Sequence, residues 1–298
     1  MSFKEIIGHD TVVRLLQNVL KKESWGMSYL FYGPVGVGKS FSARQFAKAL
    51  NCEAQDGDCC DSCVPCKKID RLEYTDLHWI DLEGTSDNIK IEQIRQLQSD
   101  MSLRPFEAKV KVFVINNCQN LTLEAANCLL KVLEEPAADS VLILITSSIR
   151  LVLPTIASRC YKINFSNLSS LNAKEVLEKD YILGLDYSRY LARYLDGRIG
   201  AAISLSKTNF IDFRDNVLDM FLNSYSQREL EELFKDKGKG REALFVLFSW
   251  FRDIMYVKTG LSADRLINED KFRQISASAP KYSYPQLMLA FNCLTKSL

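Results

Sequence analysis

Histidine is almost missing from this chain: among 298 residues only His9 and His78 are histidines. A His-centred catalytic triad is therefore disfavoured, and acid–base chemistry would fall to other groups. An excess of charge of one sign is also lacking. The 38 basic and 37 acidic residues leave a formal net charge of +1, which gives no general pull on DNA or membranes. No basic patch with interleaved aromatics marks a direct DNA reader. Long apolar runs are absent too. The most apolar late segment, Ala243 to Phe251, is bounded by Glu242 and Arg252, far short of a membrane span. The opening MSFKEIIGHD is charged and carries no signal-like apolar run. These absences predict a soluble, cytoplasmic protein with no membrane partner.

The length suits two or three domains with a real core. Through residue 165, helix-like and strand-like runs alternate, from TVVRLLQNVLKK and SYLFY to SVLILITSS and CYKINF. Such alternation predicts an α/β domain, a parallel sheet with helices on both faces. After Phe165 the strand signal ends. Residues 166–208 read as a small helical domain, and 209–298 as a helical, aromatic-rich domain that KDKGKGRE (Lys235 to Glu242) breaks into two pieces.

GPVGVGKS, the run Gly33, Pro34, Val35, Gly36, Val37, Gly38, Lys39 and Ser40, is a complete phosphate-binding loop between a strand and a helix. Its glycines let backbone N–H groups turn inward around phosphate oxygens. Lys39 brings charge to the terminal phosphates, Ser40 a hydroxyl for magnesium, and the next helix its positive end. This predicts phosphate binding without deciding hydrolysis.

Hydrolysis also needs a carboxylate for magnesium and a group that positions or deprotonates water. The KVFVI strand, where such a pair is expected, ends on Asn116 and Asn117. An amide cannot take a proton from water at neutral pH. Acids on other segments are alternatives: Asp81 and Glu83 in WIDLEG, or Glu134 and Glu135, which read better as solvated or capping charges. The expected outcome is a defective catalytic centre.

Cysteine, by contrast, is plentiful. Five of the nine fall between Cys52 and Cys66. Cys60, Cys63 and Cys66 form overlapping C-x-x-C pairs, with Cys52 eight positions before them. Four thiolates close a tetrahedral, structural zinc site. Cys59 competes with Cys60 as the fourth ligand, at a spacing less suited to a tight turn. Such a module is expected to stiffen an insertion and leave the chemistry untouched.

AANCLLKVLEEP followed by LPTIASRC, with FKEIIGHD at the start and the cysteine insertion after KALNC, resembles the clamp-loader subunits of bacterial DNA polymerase III. Motor subunits of the gamma and tau type have an Asp-Glu pair where Asn116 and Asn117 stand. The delta prime type lacks it, and this chain is similar to that type. The resemblance implies an AAA+ nucleotide-binding domain, a helical lid and a C-terminal collar that joins a hetero-oligomeric ring with gamma/tau and delta subunits. The ring acts on a sliding clamp and primed DNA. It further implies that ATP or ADP is the ligand of Gly33 to Ser40, with Ile6, Ile7 and Gly8 near the adenine and Thr146 sensing the terminal phosphate. Arg159 matches the arginine finger presented to a neighbour's ATP. Gly200 stands where a motor subunit has a second sensor arginine. The expected role is a non-hydrolysing stator; the alternative is a working gamma/tau-type ATPase.

Overall fold

The structure, a computed structural model, describes residues 2–22, 26–54, 57–84, 86–179, 181–222, 231 and 233–297. The chain forms two compact units, Met1–Asn167 and Leu168–Leu298.

The first unit is built on five parallel strands: β1 (Met27–Tyr32), β2 (Leu77–Ile80), β3 (Lys111–Ile115), β4 (Ser140–Thr146) and β5 (Tyr161–Asn164), in the order β2-β3-β4-β1-β5. Side chains alternate between faces along a strand, and here both faces are buried. Tyr29, Phe31, Val112, Val114, Val141, Ile143 and Ile145 join one apolar core. Their neighbours Leu30, Phe113, Ile115, Leu142 and Leu144 join the other. Helices α1 (Asp10–Lys22), α2 (Lys39–Asn51) and α3 (Val64–Asp70) contribute Leu16, Phe46 and Ile69 to the first. Helices α4 (Ile91–Ser102), α5 (Leu123–Glu134) and α6 (Pro154–Ala157) contribute Leu97, Leu129 and Ile156 to the second. This is why β3 and β4 read as unbroken apolar runs. Helix α5 starts where Thr122 accepts a hydrogen bond from the Ala125 N–H, a side-chain cap.

The second unit is helical, with no strand among its described residues. It holds α7 (Ser170–Lys179), α8 (Leu185–Tyr194), α9 (Ile199–Ser206), α10 (Phe210–Leu222), α11 (Lys237–Lys258), α12 (Phe272–Ser278) and α13 (Tyr284–Ser297). Trp250, Tyr190, Leu191 and Ile254 are buried. Arg193 donates to Glu269 at 2.6 Å, and the buried Arg214 grips Asp270 at 2.6 Å over the Tyr190 ring. KDKGKGRE is not a breaker throughout, as the sequence suggested: α11 begins inside it at Lys237. Asp236 caps that helix by accepting from the Gly238 and Lys239 N–H groups. A Cβ at Gly240 would come within 2.9 Å of the ring of Phe234, an exposed side chain that would have to shift.

Among the described residues, no helix is long and apolar enough to cross a membrane.

Candidate functional site

The phosphate loop runs from the end of β1 to the start of α2. Gly33, Gly36 and Gly38 have φ of +145°, +83° and +100°, backbone that side chains rarely adopt. At Gly33 a Cβ would sit 2.0 Å from the Phe165 carbonyl oxygen, so only glycine fits. Val37 is buried and Val35 exposed. Lys39, only 8 % exposed, donates through Nζ to the Gly33 carbonyl at 2.6 Å and to that of Pro34. Burial pulls its pKa down to about 8.

Ile6 is buried and Ile7 half-buried beside Gly8. The residue that follows them is one that sequence reasoning missed. His9 is buried, its Nε2 donates to the Val37 carbonyl at 2.9 Å, and its ring meets Phe165 edge-on. It fastens the N-terminal segment to the loop, and burial lowers its pKa. No sequence signal marked it, because the contact joins residues 28 positions apart.

At the end of β3 the Ser40 hydroxyl donates to Asn116 Oδ1 at 3.3 Å. Asn116 Nδ2 donates to Asp81 Oδ2 at 2.7 Å, and Asn117 Nδ2 to Asp81 Oδ1 at 3.1 Å. Asn117 takes the left-handed φ of +55° that asparagine tolerates better than other side chains. Of the alternative acids, Asp81 is thus in the site. Glu83 is exposed and bonded to Gln93, and Glu135 ends α5.

Thr146, at the tip of β4, pairs in register with Tyr32, the residue before the loop. It is buried, and its hydroxyl exchanges hydrogen bonds with the backbone of Ser148. Arg159 follows α6. Its Nη1 donates to the Thr155 carbonyl at 3.0 Å and its Nη2 pairs with Glu134 at 2.6 Å. Glu134 is the solvated charge that the sequence suggested, 53 % exposed, and it pairs with Arg159. Gly200 lies in the first turn of α9, in the second unit.

The cysteine site is separate from the loop's mouth. Cys52 ends α2, Cys63 caps α3 and Cys66 lies within it. The four sulfurs of Cys52, Cys60, Cys63 and Cys66 lie within 4.8 Å of one another. Zinc–sulfur bonds of about 2.3 Å in a tetrahedron require separations near ~3.8 Å, so a small contraction closes the set. The Cys60 N–H donates to Cys52 Sγ and the Cys63 N–H to Cys60 Sγ, at 3.3 and 3.4 Å. Hydrogen bonds from Ser62 and Cys63 bring the Cys60 thiol down to about 6. Burial pushes the Cys52 and Cys66 thiols up. Cys59 faces elsewhere: its buried Sγ meets Gln45 on α2 at 3.5 Å, and burial raises it to about 12. The fully buried Lys48 of α2 pairs with Asp61 of the cysteine loop and with Asp70 of α3 at 2.9 Å. The cysteine module is therefore bonded to the helix that carries the phosphate loop.

The family model described as "DNA polymerase III, delta subunit" matches residues 8–169. The chain is 32 % identical to DNA polymerase III subunit delta' of Bacillus subtilis over 90 % of its length and 83 % of that protein. It is 26 % identical to the tau subunit of the same organism over 97 % of this chain, but spans only 57 % of tau. A solved DNA polymerase III gamma subunit-related protein of Thermotoga maritima matches over 96 % of this chain and 98 % of its own, at 18 % identity and a TM-score of 0.49. A phosphate loop at the end of an inner strand of a parallel sheet and kinship spanning nine-tenths of the chain agree: the chain belongs to the delta prime family of DNA polymerase III subunits.

Proposed function

We propose that this chain is a stator of the bacterial replicative clamp loader: it holds a nucleotide without hydrolysing it and completes a neighbour's ATP site. The observation that carries this reading is the amide pair Asn116–Asn117 beside Ser40, where phosphoryl transfer to water calls for a carboxylate. Gly33 to Gly38 would wrap the phosphates of ATP or ADP. Lys39 would turn from the loop carbonyls to the terminal phosphate, and Ser40 would face the accompanying magnesium. Ile7 would lie against the base and Thr146 near the terminal phosphate.

Arg159 is the group offered to the neighbouring subunit. A trans arginine stabilises charge on the transferring phosphoryl group and is worth roughly 10³–10⁵ in rate. A subunit without its own chemistry is then still needed for its neighbour's. The partners are gamma/tau and delta subunits in a ring, with the sliding clamp and primed DNA met through the complex, in the cytoplasm. Residues 166–208 would serve as lid and 209–298 as collar, with 166 and 167 lying at the end of the first unit. Cys52, Cys60, Cys63 and Cys66 hold one structural zinc, a closed site with no open position for catalysis.

The gamma/tau-type ATPase reading has one foothold, the Asp81 carboxylate in contact with the amide pair. Nucleotide binding and phosphate release by the full chain, alone and reconstituted with candidate motor subunits, decide between the two. Binding without turnover is expected. Turnover by the isolated chain that vanishes in Lys39→Ala would defeat the stator reading.

A further inference from the structure

Asp81 and the two asparagines form a directional set. A carboxylate only accepts hydrogen bonds, so both amides must face it with Nδ2. The Asn116 oxygen is thereby left for the Ser40 hydroxyl, and the Asn117 oxygen for Gln119 Nε2 at 3.3 Å. Asp81 Oδ1 also accepts the Leu82 N–H at 2.9 Å. Three donors, from Asn116, Asn117 and Leu82, thus converge on one carboxylate.

We propose that β2 and β3 carry a charge swap: the negative charge of the nucleotide site resides on Asp81, and Asn116 and Asn117 are its donors. Asp81 is a positioning residue. It locks the Asn116 amide oxygen toward Ser40, and three of its roughly four acceptor sites are taken by Asn116, Asn117 and Leu82. The swap deepens the stator reading, on which it rests, by naming what keeps the site in a holding state. It also has a consequence for redesign. A carboxylate introduced at 116 or 117 would meet Asp81 at about 3 Å, where two like charges cannot both ionise comfortably. Restoring acids on β3 is therefore insufficient unless Asp81 gives up its charge.

The test is a mutant cycle in the full chain: Asn117→Glu, Asp81→Asn and the two together, melted without nucleotide in chelator and in millimolar magnesium. Asn117→Glu alone should lower the melting temperature in chelator by roughly 5 °C, with partial recovery in magnesium. Adding Asp81→Asn should recover the part of that loss due to like charge, because one carboxylate again faces amides, while the strain of a side chain other than asparagine at φ +55° stays in both variants. Equal losses from Asn117→Glu with Asp or Asn at 81 would overturn the swap. If Asn117→Glu does not fold by itself, recovery of folded protein in the double variant supports the same conclusion. If neither folds, Asp81→Asn decides: it should weaken binding of a fluorescent ADP about threefold or more, since one amide loses its acceptor, and unchanged affinity overturns the proposal. Lys39→Ala serves as the control. Nucleotide signal that survives it defeats the nucleotide reading, and the nucleotide-free melts still judge the swap.

Discussion

Glu134 and Arg159 form an ion pair within one chain, Oε1 to Nη2 at 2.6 Å, so the candidate finger is folded onto the end of α5. Both side chains are substantially exposed, at 53 % and 37 %. A pair in such surroundings is worth about 0–1 kcal/mol. That is small against what a trans arginine contributes to phosphoryl transfer, so the pair orients Arg159 without imprisoning it. Arg159→Ala should leave stability within about 1 kcal/mol and still assemble, while ATP hydrolysis and clamp loading by a reconstituted complex fall. Glu134→Gln should change the same rates by less than about fivefold. Wild-type loading by an assembled Arg159→Ala complex would reduce this subunit to a scaffold.

The cysteine cluster allows a comparison within one loop. Cys63→Ser should abolish zinc binding, measured by metal analysis of protein purified without added metal, and lower the melting temperature. Cys59→Ser should retain the metal, because its sulfur faces Gln45 rather than the other four. Comparable metal loss at both positions would refute the ligand set.

If the loop binds nucleotide as proposed, Lys39 should make its affinity depend on pH. Its free-state pKa is held near 8 by burial, and bound phosphates would raise it. Below about pH 8 the lysine is charged in both states and affinity should be flat. Above it, binding must take up a proton, so affinity should fall by up to about tenfold per pH unit. A titration by fluorescent ADP from neutral to alkaline pH measures this. Lys39→Arg, charged throughout, should flatten the profile.

The histidines set a limit on the acid side. Burial lowers the pKa of His9 and of His78 below the ordinary 6.5. The unfolded chain then takes up protons first, so stability should decline as pH drops below about 6.5 and level off once the folded histidines protonate too. His9→Gln should reduce this slope, because Gln takes up no proton, while its amide can still donate to the Val37 carbonyl and keep the contact. An unchanged slope in denaturant melts at several pH values would show that His9 is not responsible.

Much of the first unit was legible in the linear chain because the causes are local. A strand buried on both faces needs a continuous apolar run, as β3 and β4 have. A loop that turns its N–H groups inward needs glycine at positive φ, as at 36 and 38. Closely spaced cysteines around a short helix can converge wherever the module sits, as Cys60, Cys63 and Cys66 do. The start of α11 inside KDKGKGRE was misjudged for an equally local reason. Glycine weakens a helix interior, but Gly238 and Gly240 fall in the first turn, behind an aspartate cap.

What the tertiary structure alone decided are contacts between residues far apart in the chain. Parallel pairing sets Ile80 opposite Ile115, so the residues that follow, Asp81 and Asn116, are brought together from 35 positions apart. A slip of one residue would turn one partner to the other face. His9 reaches Val37, Arg159 reaches Glu134, and Cys59 turns to Gln45 while Cys60 joins the cysteine cluster. None of these follows from spacing, because each depends on which neighbour the folded sheet and helices supply. The sequence determined that the chain has a phosphate loop and lacks acids on β3; the register of β2 against β3 decided where the negative charge went instead.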